Sequence, residues 1–287
     1  MKRILITGAN SYIGTSFEQW VKRHPDKYMV DTVDMTDISW KEEDFSSYDV
    51  VFHVAGIAHV SSKHRLKDLY YKVNRDLAIE TAKKAKAEGV KQFIFMSSII
   101  VYGDGSKTKK VITKETVPAP NNFYGDSKLQ AEIELKKIED KTFKLVILRP
   151  PMVYGKGCKG NYNKLSKAAK ILPFFPDIDN ERSMIHIDNL CEFIRLSIEN
   201  EEKGLFFPQD EEYVKTSEMV KLIAEINGHK IKLTKALNPI INKMYRFSIV
   251  NKVFGSLVYD KSISEYHKGC YRVRDLWDSI VYSEKGD

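Results

Sequence analysis

Short apolar runs alternate with segments of helical periodicity along the first half of the chain. Residues 50–54, Val-Val-Phe-His-Val, are nearly all apolar, which is typical of a strand covered on both faces. This alternation predicts an α/β fold, a doubly wound parallel sheet with helices on both faces. The strands are predicted at residues 3–6, 28–33, 50–54, 93–96 and 145–148. The helices are predicted at residues 16–23, 66–89 and 127–138.

The pattern changes after Pro150 and Pro151, where glycines and prolines interrupt shorter elements. We therefore expect a first domain over residues 1–150 and a smaller C-terminal substrate-binding lobe over residues 151–287 that packs on it. The short elements of this lobe are strands predicted at 184–187 and 205–207, and helices predicted at 189–198 and 217–226.

The composition supports a globular protein with a sizeable core. The chain has 287 residues, of which 43% are hydrophobic, and its 14 Phe, 15 Tyr and 3 Trp exclude a disordered tail protein. No apolar run approaches the roughly 20 residues of a membrane helix, and the first apolar stretch is too short for a secretion signal. Cys158, Cys191 and Cys270 lie far apart, which excludes a disulfide framework or a cysteine-rich zinc site. We expect a cytoplasmic protein without an integral membrane segment or a bound metal.

The net charge is +7, from 46 basic and 39 acidic residues. Nucleic-acid-binding proteins usually gather such charge into a patch with aromatic residues, but here the lysines are spread out, so we expect no nucleic-acid partner. The basic excess would attract an anionic small molecule. Residues 239–254 mix apolar side chains with Lys243, Arg246 and Lys252. That segment fits a helix packed against the smaller lobe or, as the alternative, a basic amphipathic helix at a membrane surface.

A glycine-containing turn follows the first predicted strand directly. A turn that holds a pyrophosphate needs glycine where the backbone bends and where the helix packs close to the strand; Gly8 and Gly14 occupy those positions. Ser11 occupies the middle position, and a helix that begins near Ile13 would point its amino end at the phosphates. Asp34 ends the second strand, near where an acid that binds the adenosine ribose belongs. The turn therefore predicts dinucleotide binding.

Asp34 also bears on the choice of cofactor. A carboxylate at this position disfavours a 2′-phosphate, so NAD(H) is slightly favoured over NADP(H). The stretch between Asp34 and Val50 is short and lacks one helix and one strand of the usual dinucleotide-binding unit. Asp37 or Met35 could therefore form part of the adenine pocket instead.

Tyr124 and Lys128 lie four residues apart, on one face near the start of a predicted helix. Ser97 and Ser98 end a core strand upstream, at the sheet edge where α/β folds bind ligands. This set suits the interconversion of an alcohol and a ketone with a nicotinamide cofactor. A phenol is a poor base at neutral pH, but a neighbouring ammonium lowers its pKa, and Ser98 can hydrogen-bond the reacting oxygen.

Several segments occur in the order found in one known family: TGANSYIG, HVAG, Asn74 in a helix, SSIIVYG, YGDSK, LRPPMVYG and RSMIHIDNL. Over nearly its whole length the chain resembles the extended short-chain dehydrogenase/reductase family of NAD-dependent epimerases, dehydratases and reductases. The resemblance implies a Rossmann-type fold and a catalytic set of Ser98, Tyr124 and Lys128. It implies cofactor contacts by Gly8, Asn10, Ser11, Tyr12, Ile13, Gly14, Asp34, Met35, Val54, Ala55, Gly56, Asn74, Ser97, Tyr124, Lys128, Pro151 and Val153. It implies substrate contacts by Ser98, Tyr124, Met152, Asn161 and Arg182, with Arg182 and the region of Asn161 at the nucleotide diphosphate.

Three reactions of this family share the catalytic set. The 4,6-dehydratases of the family carry an Asp-Glu pair beside the catalytic hydroxyl, and here Ile99 and Ile100 follow Ser98, which disfavours dehydration. The shortened adenosine side favours an exchangeable cofactor and hence a reductase. SSIIVYGD and RPPMVYGKGCKGNY are most similar to short reductases of bacterial capsule and O-antigen pathways.

We therefore expect an NAD(P)H-dependent reductase that converts a UDP-4-keto-6-deoxy-N-acetylhexosamine into a UDP-N-acetyl-6-deoxyhexosamine of the fucosamine or quinovosamine type. The alternative is a UDP-hexose or UDP-N-acetylhexosamine 4-epimerase that retains NAD. A non-catalytic NAD-binding scaffold is disfavoured because Tyr124 and Lys128 are both present. The resemblance also implies a homodimer formed through the helices at 66–87 and 127–138.

Overall fold

The structure, a computed structural model, describes residues 1–58 and 66–286. The chain divides into two units, and each unit is built from separate stretches of sequence. The first comprises Met1–Gly103, Pro118–Pro150 and Cys191–Phe207. The second comprises Asp104–Val117, Pro151–Leu190 and the chain from Pro208 onward. The expected boundary after residue 150 coincides with one of the points where the chain passes from one unit to the other, and the division into two domains stays a prediction.

Short strands and helices alternate along the described chain. In chain order the strands are β1 (Lys2–Thr7), β2 (Tyr28–Val33), β3 (Val50–His53), β4 (Gln92–Met96), β5 (Val111–Ile112), β6 (Lys144–Leu148), β7 (Met152–Tyr154), β8 (Phe174–Pro176), β9 (Met184–His186), β10 (Gly204–Phe206), β11 (Lys232–Thr234) and β12 (Val258–Tyr259). The helices are α1 (Tyr12–Val21), α2 (Lys67–Tyr71), α3 (Leu77–Ala87), α4 (Phe123–Lys136), α5 (Asn161–Ile171), α6 (Ile187–Glu199), α7 (Thr216–Ile226), α8 (Asn238–Met244), α9 (Ser248–Phe254) and α10 (Leu276–Lys285).

The first unit contains a six-stranded sheet in the order β2-β1-β3-β4-β6-β10, and every pairing is parallel. On one face, Phe93 of β4 belongs to a core cluster that includes Ala82 of α3, whose small side chain lets the helix approach closely. On the other face, Phe17 of α1 contacts Phe52 of β3, with 5.3 Å between the ring centroids. Helices therefore cover both faces, and the predicted doubly wound α/β fold is confirmed.

Several elements of the first unit differ from the prediction, beginning with the helix expected over residues 16–23, which is α1 (Tyr12–Val21). The helix expected over residues 66–89 is interrupted by a π-helical turn at Lys72–Asp76 between α2 and α3. Helix α4 begins before residue 127 because the side chain of Asn122 accepts a hydrogen bond from the Gly125 amide, 2.9 Å away. The strand expected at 205–207 was assigned to the smaller lobe, and this was wrong: it is β10, which pairs with β6, while Leu205 packs against the core cluster of the sheet.

The second unit contains three small parallel pairs, β5 with β12, β7 with β9, and β8 with β11. Its last helix is held by one carboxylate: Glu284 of α10 accepts hydrogen bonds from Tyr162 and Ser166 of α5 and from Asn227, which follows α7. The distances are 2.9, 3.0 and 3.0 Å. This carboxylate therefore joins α10 to two other helices.

The single helix expected over residues 239–254 is instead two short helices, α8 and α9. The chain bends between them because Asn251 of α9 donates a hydrogen bond to the Tyr245 carbonyl, 2.9 Å away, and Phe247 is extended. Ile241 and Val250 are buried with Ile178 in a small core cluster. Within residues 1–58 and 66–286, each helix is either too short or too polar to cross a bilayer.

Candidate active site

The turn between β1 and α1 brings backbone close to backbone. Gly8 has a φ of +119°, and a Cβ added there would lie 2.7 Å from the Ala55 amide nitrogen, so no side chain fits. Ser11 caps α1 by accepting a hydrogen bond from the Gly14 amide, 3.2 Å away. A Cβ on Gly14 would lie 2.5 Å from the Ser11 hydroxyl oxygen. The turn therefore presents the amino end of α1 without obstruction, which fits a bound pyrophosphate.

Asp34 lies on an open edge of the first unit. It follows β2, the outermost strand of the sheet, and its exposed carboxylate accepts a hydrogen bond from the Thr36 amide, 2.9 Å away. That bond lowers the pKa of Asp34 below its ordinary value, so the group is ionised at neutral pH. Before β3 the chain forms only a short 3₁₀-helix at Ile38–Lys41, and Met35 is buried in the core cluster. The segment between β2 and β3 is therefore short, as expected from the sequence.

The π-helical turn carries Asn74 into the interior of the first unit. The side chain of Asn74 accepts a hydrogen bond from the Ile57 amide at 2.9 Å and donates one to the Ser127 hydroxyl at 3.1 Å. A Cβ added to Gly56 would lie 3.0 Å from the Asn74 amide oxygen and 3.2 Å from Lys128 Nζ. The structure thus brings together Gly56, Asn74 and Lys128, which the sequence analysis assigned to the cofactor.

The three candidate catalytic residues also meet in the first unit. The hydroxyls of Ser98 and Tyr124 are hydrogen-bonded; burial raises the pKa of Tyr124, and the Ser98 bond opposes that rise. Lys128, one turn further along α4, is buried and donates a hydrogen bond from Nζ to the Met96 carbonyl, 2.8 Å away. Burial lowers the pKa of Lys128 to about 8, while the charge of Glu132 raises it. A desolvated ammonium in this position would stabilise negative charge on a neighbouring ligand or phenol.

A buried ion pair that was not predicted from the sequence is hydrogen-bonded to Ser97, the residue before Ser98. Glu132 of α4 and Arg149 after β6 form a two-pronged pair, with Nε–Oε1 and Nη2–Oε2 distances of 3.0 and 2.5 Å. Ser97 donates a hydrogen bond to Glu132, and Arg149 donates one to the Tyr102 hydroxyl at 2.6 Å. Three consecutive residues at the end of β4, Met96 to Ser98, are therefore each bonded to α4.

The remaining candidate residues belong to the second unit. Pro151 is buried, Met152 and Val153 of β7 are partly exposed, and Asn161 is the first residue of α5.

Arg182, also in the second unit, is a partly buried cation. One terminal nitrogen donates hydrogen bonds to the carbonyls of Gly255 (2.9 Å) and Asn251 (3.4 Å), and Nε lacks a hydrogen-bond partner among the described residues. Burial lowers the pKa of Arg182 to about 10, against the opposing charge of Asp104. An anion would stabilise a partly buried guanidinium that is held mainly by neutral carbonyls.

Comparison with known proteins extends these observations. Residues 4–206 match the family described as the NAD dependent epimerase/dehydratase family. A UDP-glucose 4-epimerase of Vibrio cholerae is 31% identical over 277 residues, which are 88% of this chain and 83% of that protein. A crystal structure of a dTDP-4-dehydrorhamnose reductase from Clostridium acetobutylicum superimposes with a TM-score of 0.75 at 19% identity and covers 98% of each chain. A UDP-glucuronic acid 4-epimerase from Bacillus cereus, solved with NAD, gives 0.76 at 17% identity and covers 99% of this chain and 98% of that one. The two structures share the fold described above.

Proposed function

The chain belongs to the NAD dependent epimerase/dehydratase family, and from this we propose that it catalyses nicotinamide-dependent oxidoreduction at C4 of a nucleotide sugar. The family assignment confirms the resemblance found in the sequence motifs. More specifically, we propose an NAD(P)H-dependent reductase of a UDP-4-keto-6-deoxy-N-acetylhexosamine for surface polysaccharide. The observation that carries this choice is the short adenosine side: Asp34 is exposed beside an edge strand, with only a short 3₁₀-helix before β3. An open cofactor site suits a reductase, which must exchange its cofactor in every turnover.

The residues of the first unit have separate tasks in this proposal. A nicotinamide cofactor, when bound, would supply the hydride. Tyr124 donates the proton to the C4 oxygen, and the Ser98 hydroxyl, bonded to Tyr124, orients that oxygen. Lys128 holds the cofactor ribose, and its charge favours the phenolate that forms when Tyr124 gives up its proton. The glycine turn, Asn74 and Gly56 shape the cofactor-binding surface.

We assign the substrate diphosphate to Arg182. Support comes from its partly buried guanidinium, which has neutral carbonyl partners and a buried Nε without a partner among the described residues. Guanidinium groups recognise phosphate oxygens in two-pronged geometry, so an anion would improve the present arrangement. The proposal also keeps the predicted ligand contacts of four further residues, Pro151, Met152, Val153 and Asn161.

A UDP-hexose or UDP-N-acetylhexosamine 4-epimerase is the second candidate. It is favoured by the 31% identity to the Vibrio cholerae UDP-glucose 4-epimerase over most of both chains. An epimerase would use the same Tyr124, Ser98 and Lys128 but would retain NAD through its cycle. The homodimer and the cytoplasmic location are carried into the proposal from the family resemblance.

Two parallel incubations of the purified protein distinguish the candidates. The first contains UDP-4-keto-6-deoxy-N-acetylglucosamine with NADH or NADPH, and the second contains UDP-N-acetylglucosamine or UDP-glucose with NAD. We expect stoichiometric loss of reduced nicotinamide and a new 6-deoxy sugar in the first, as measured by nucleotide-sugar chromatography. Interconversion of C4 epimers in the second, without net change in the cofactor, would replace the reductase by the epimerase. Inactivity in both would refute the proposed substrates.

Replacing Asp34 by Ala tests the cofactor assignment. The Asp34 carboxylate is ionised and would accept hydrogen bonds from the ribose hydroxyls of NADH, whereas it would repel the 2′-phosphate of NADPH. We expect the ratio of kcat/KM for NADH over NADPH to fall about tenfold, the size of a lost charge-assisted hydrogen bond. Asp37→Ala is the matched control and should leave the ratio unchanged. If the ratio of kcat/KM for NADH over NADPH falls only in the Asp37 variant, the contact with the adenosine ribose would be assigned to Asp37 instead.

A further inference from the structure

Most of the net charge of the chain lies in one stretch of the second unit. Residues 226–259 contain six basic residues and no Asp or Glu, whereas the whole chain has a net charge of +7. The six basic side chains are all exposed: Lys230, Lys232, Lys235, Lys243, Arg246 and Lys252. Asp177 is an acidic residue that lies outside this stretch but contacts it, because its carbonyl accepts a hydrogen bond from Asn238 at the start of α8. Its carboxylate already forms an ion pair with Lys215 at 3.0 Å. The basic charge of this stretch is therefore not balanced from within it.

Helix α8 has one buried side and one exposed side. Its buried side packs Ile241 against the core cluster, together with Tyr245 just after the helix. Three apolar side chains point away from that cluster: Ile240, Met244 and Phe247 are 58%, 38% and 45% exposed. Lys243 and Arg246 lie between them in sequence, and the Arg246 guanidinium carbon is 4.9 Å from the centre of the Phe247 ring. We call this set, Ile240, Lys243, Met244, Arg246 and Phe247, the α8 surface.

The α8 surface combines positive charge with exposed apolar side chains, and few partners complement both properties. Nucleic acid would neutralise the basic charge but would leave the aliphatic side chains in contact with water. A second copy of the same surface would cover the aliphatic side chains but would bring like charges together. The surface of an anionic bilayer offers headgroups for the cations and an acyl boundary for the apolar side chains. The stems of Lys243 and Arg246 are long enough for the charges to remain at the headgroups while the apolar groups insert.

We propose that the α8 surface docks this protein peripherally on anionic lipid membranes. The insertion is shallow because only one face of a seven-residue helix is available, and it requires no change in the core that Ile241 anchors. Since Lys243 and Arg246 attract the headgroups electrostatically, binding weakens as salt screens their charges. This docking is independent of the reaction at Tyr124.

Cosedimentation of the full chain with vesicles tests the proposal. We expect the wild-type protein to bind vesicles of phosphatidylglycerol and phosphatidylcholine at low salt. Binding to pure phosphatidylcholine should be at least about tenfold weaker, because the headgroup attraction is missing. Lys243→Glu combined with Arg246→Glu should lower binding to anionic vesicles about 30-fold or more. Ile240→Ser combined with Met244→Ser should lower it about tenfold, because less apolar area is buried in the bilayer.

The charge control reverses two exposed lysines outside the α8 surface, with Lys83→Glu and Lys203→Glu in one chain, and should lower binding less than the α8 pair. Circular dichroism verifies that each variant is folded, and the lipid selectivity of the wild type tests the proposal without any variant. Absence of wild-type binding to anionic vesicles would overturn the proposal, as would equal binding to neutral ones. An equal loss in the control and α8 charge variants would also overturn it. If the wild type does not bind vesicles but binds single-stranded DNA, the α8 surface would be reassigned to nucleic acid. If it instead self-associates, and the α8 variants do not, the surface would be reassigned to a contact between two copies of the chain.

Discussion

Replacing Tyr124 by Phe should lower kcat about 10²- to 10⁴-fold, the range expected when a positioned proton donor is removed. The variant keeps the ring, which lies 6.3 Å from the ring of Tyr70, and loses only the hydroxyl that bonds Ser98. The glycine turn and Lys128 are unaffected, so binding of the nicotinamide cofactor should change by less than about twofold. The measurement pairs steady-state kinetics, with whichever nucleotide sugar the protein turns over, and cofactor titration by fluorescence.

The matched control is Tyr48→Phe in the same unit. That hydroxyl donates a hydrogen bond to Asp31 at 3.0 Å and has no part in the proposed chemistry, so kcat should stay within about twofold of the wild type. Retained turnover in the Tyr124 variant would remove Tyr124 from the role of proton donor. A parallel loss of cofactor binding would instead indicate that the phenol shapes the cofactor site.

Replacing Glu132 by Gln should reduce the free energy of unfolding by about 3–5 kcal/mol, because the Arg149 guanidinium would remain buried without its counter-charge. Both side chains are almost inaccessible, with 4% and 1% of their surface exposed, so water cannot replace the lost partner. Urea denaturation monitored by tryptophan fluorescence measures the loss. The same variant removes the charge that raises the pKa of Lys128, so the alkaline limb of the pH–rate profile should move to lower pH.

Glu134→Gln, two residues along α4, is the control. Its pair with Lys137 is at the surface, and its loss should cost less than about 1 kcal/mol. Replacing Glu132 and Arg149 together by Met should cost less than the sum of the two single replacements, because neither charge is then left alone. Equal, small losses for Glu132→Gln and Glu134→Gln would show that the buried pair contributes little to stability.

The sequence allowed the fold to be predicted, and the candidate catalytic residues to be selected, because their signals are local. Apolar runs such as residues 50–54 identify central strands, and the sheet contains them as expected. Gly8 and Gly14 mark a turn whose backbone excludes side chains. Tyr124 and Lys128 fall one turn apart on a helix, so their proximity follows from the helical repeat alone.

Other features depend on contacts distant in sequence. Glu132 has the pattern of an ordinary surface charge on α4, and only the position of Arg149 after β6 shows that it is buried and paired. The π-helical turn that directs Asn74 inward lacks a regular spacing of apolar residues, so the sequence pattern does not predict it. The strand at residues 204–206 was placed in the wrong unit because its few apolar residues do not indicate which neighbour they pair with. The two helices after residue 238 were merged because Asn251, which bonds back to Tyr245, is not a conventional helix breaker.

The late position of β10 in the chain affects how the protein is made. Phe206 pairs with Leu148, so the ribosome must synthesise the intervening segment, much of which belongs to the second unit, before the sheet is complete. Until then the outer edge of β6 would present unpaired backbone groups, the kind of edge that promotes aggregation of nascent chains. The order of synthesis thus differs from the order of strands in the sheet. Expression of residues 1–150 alone would make that exposed edge permanent.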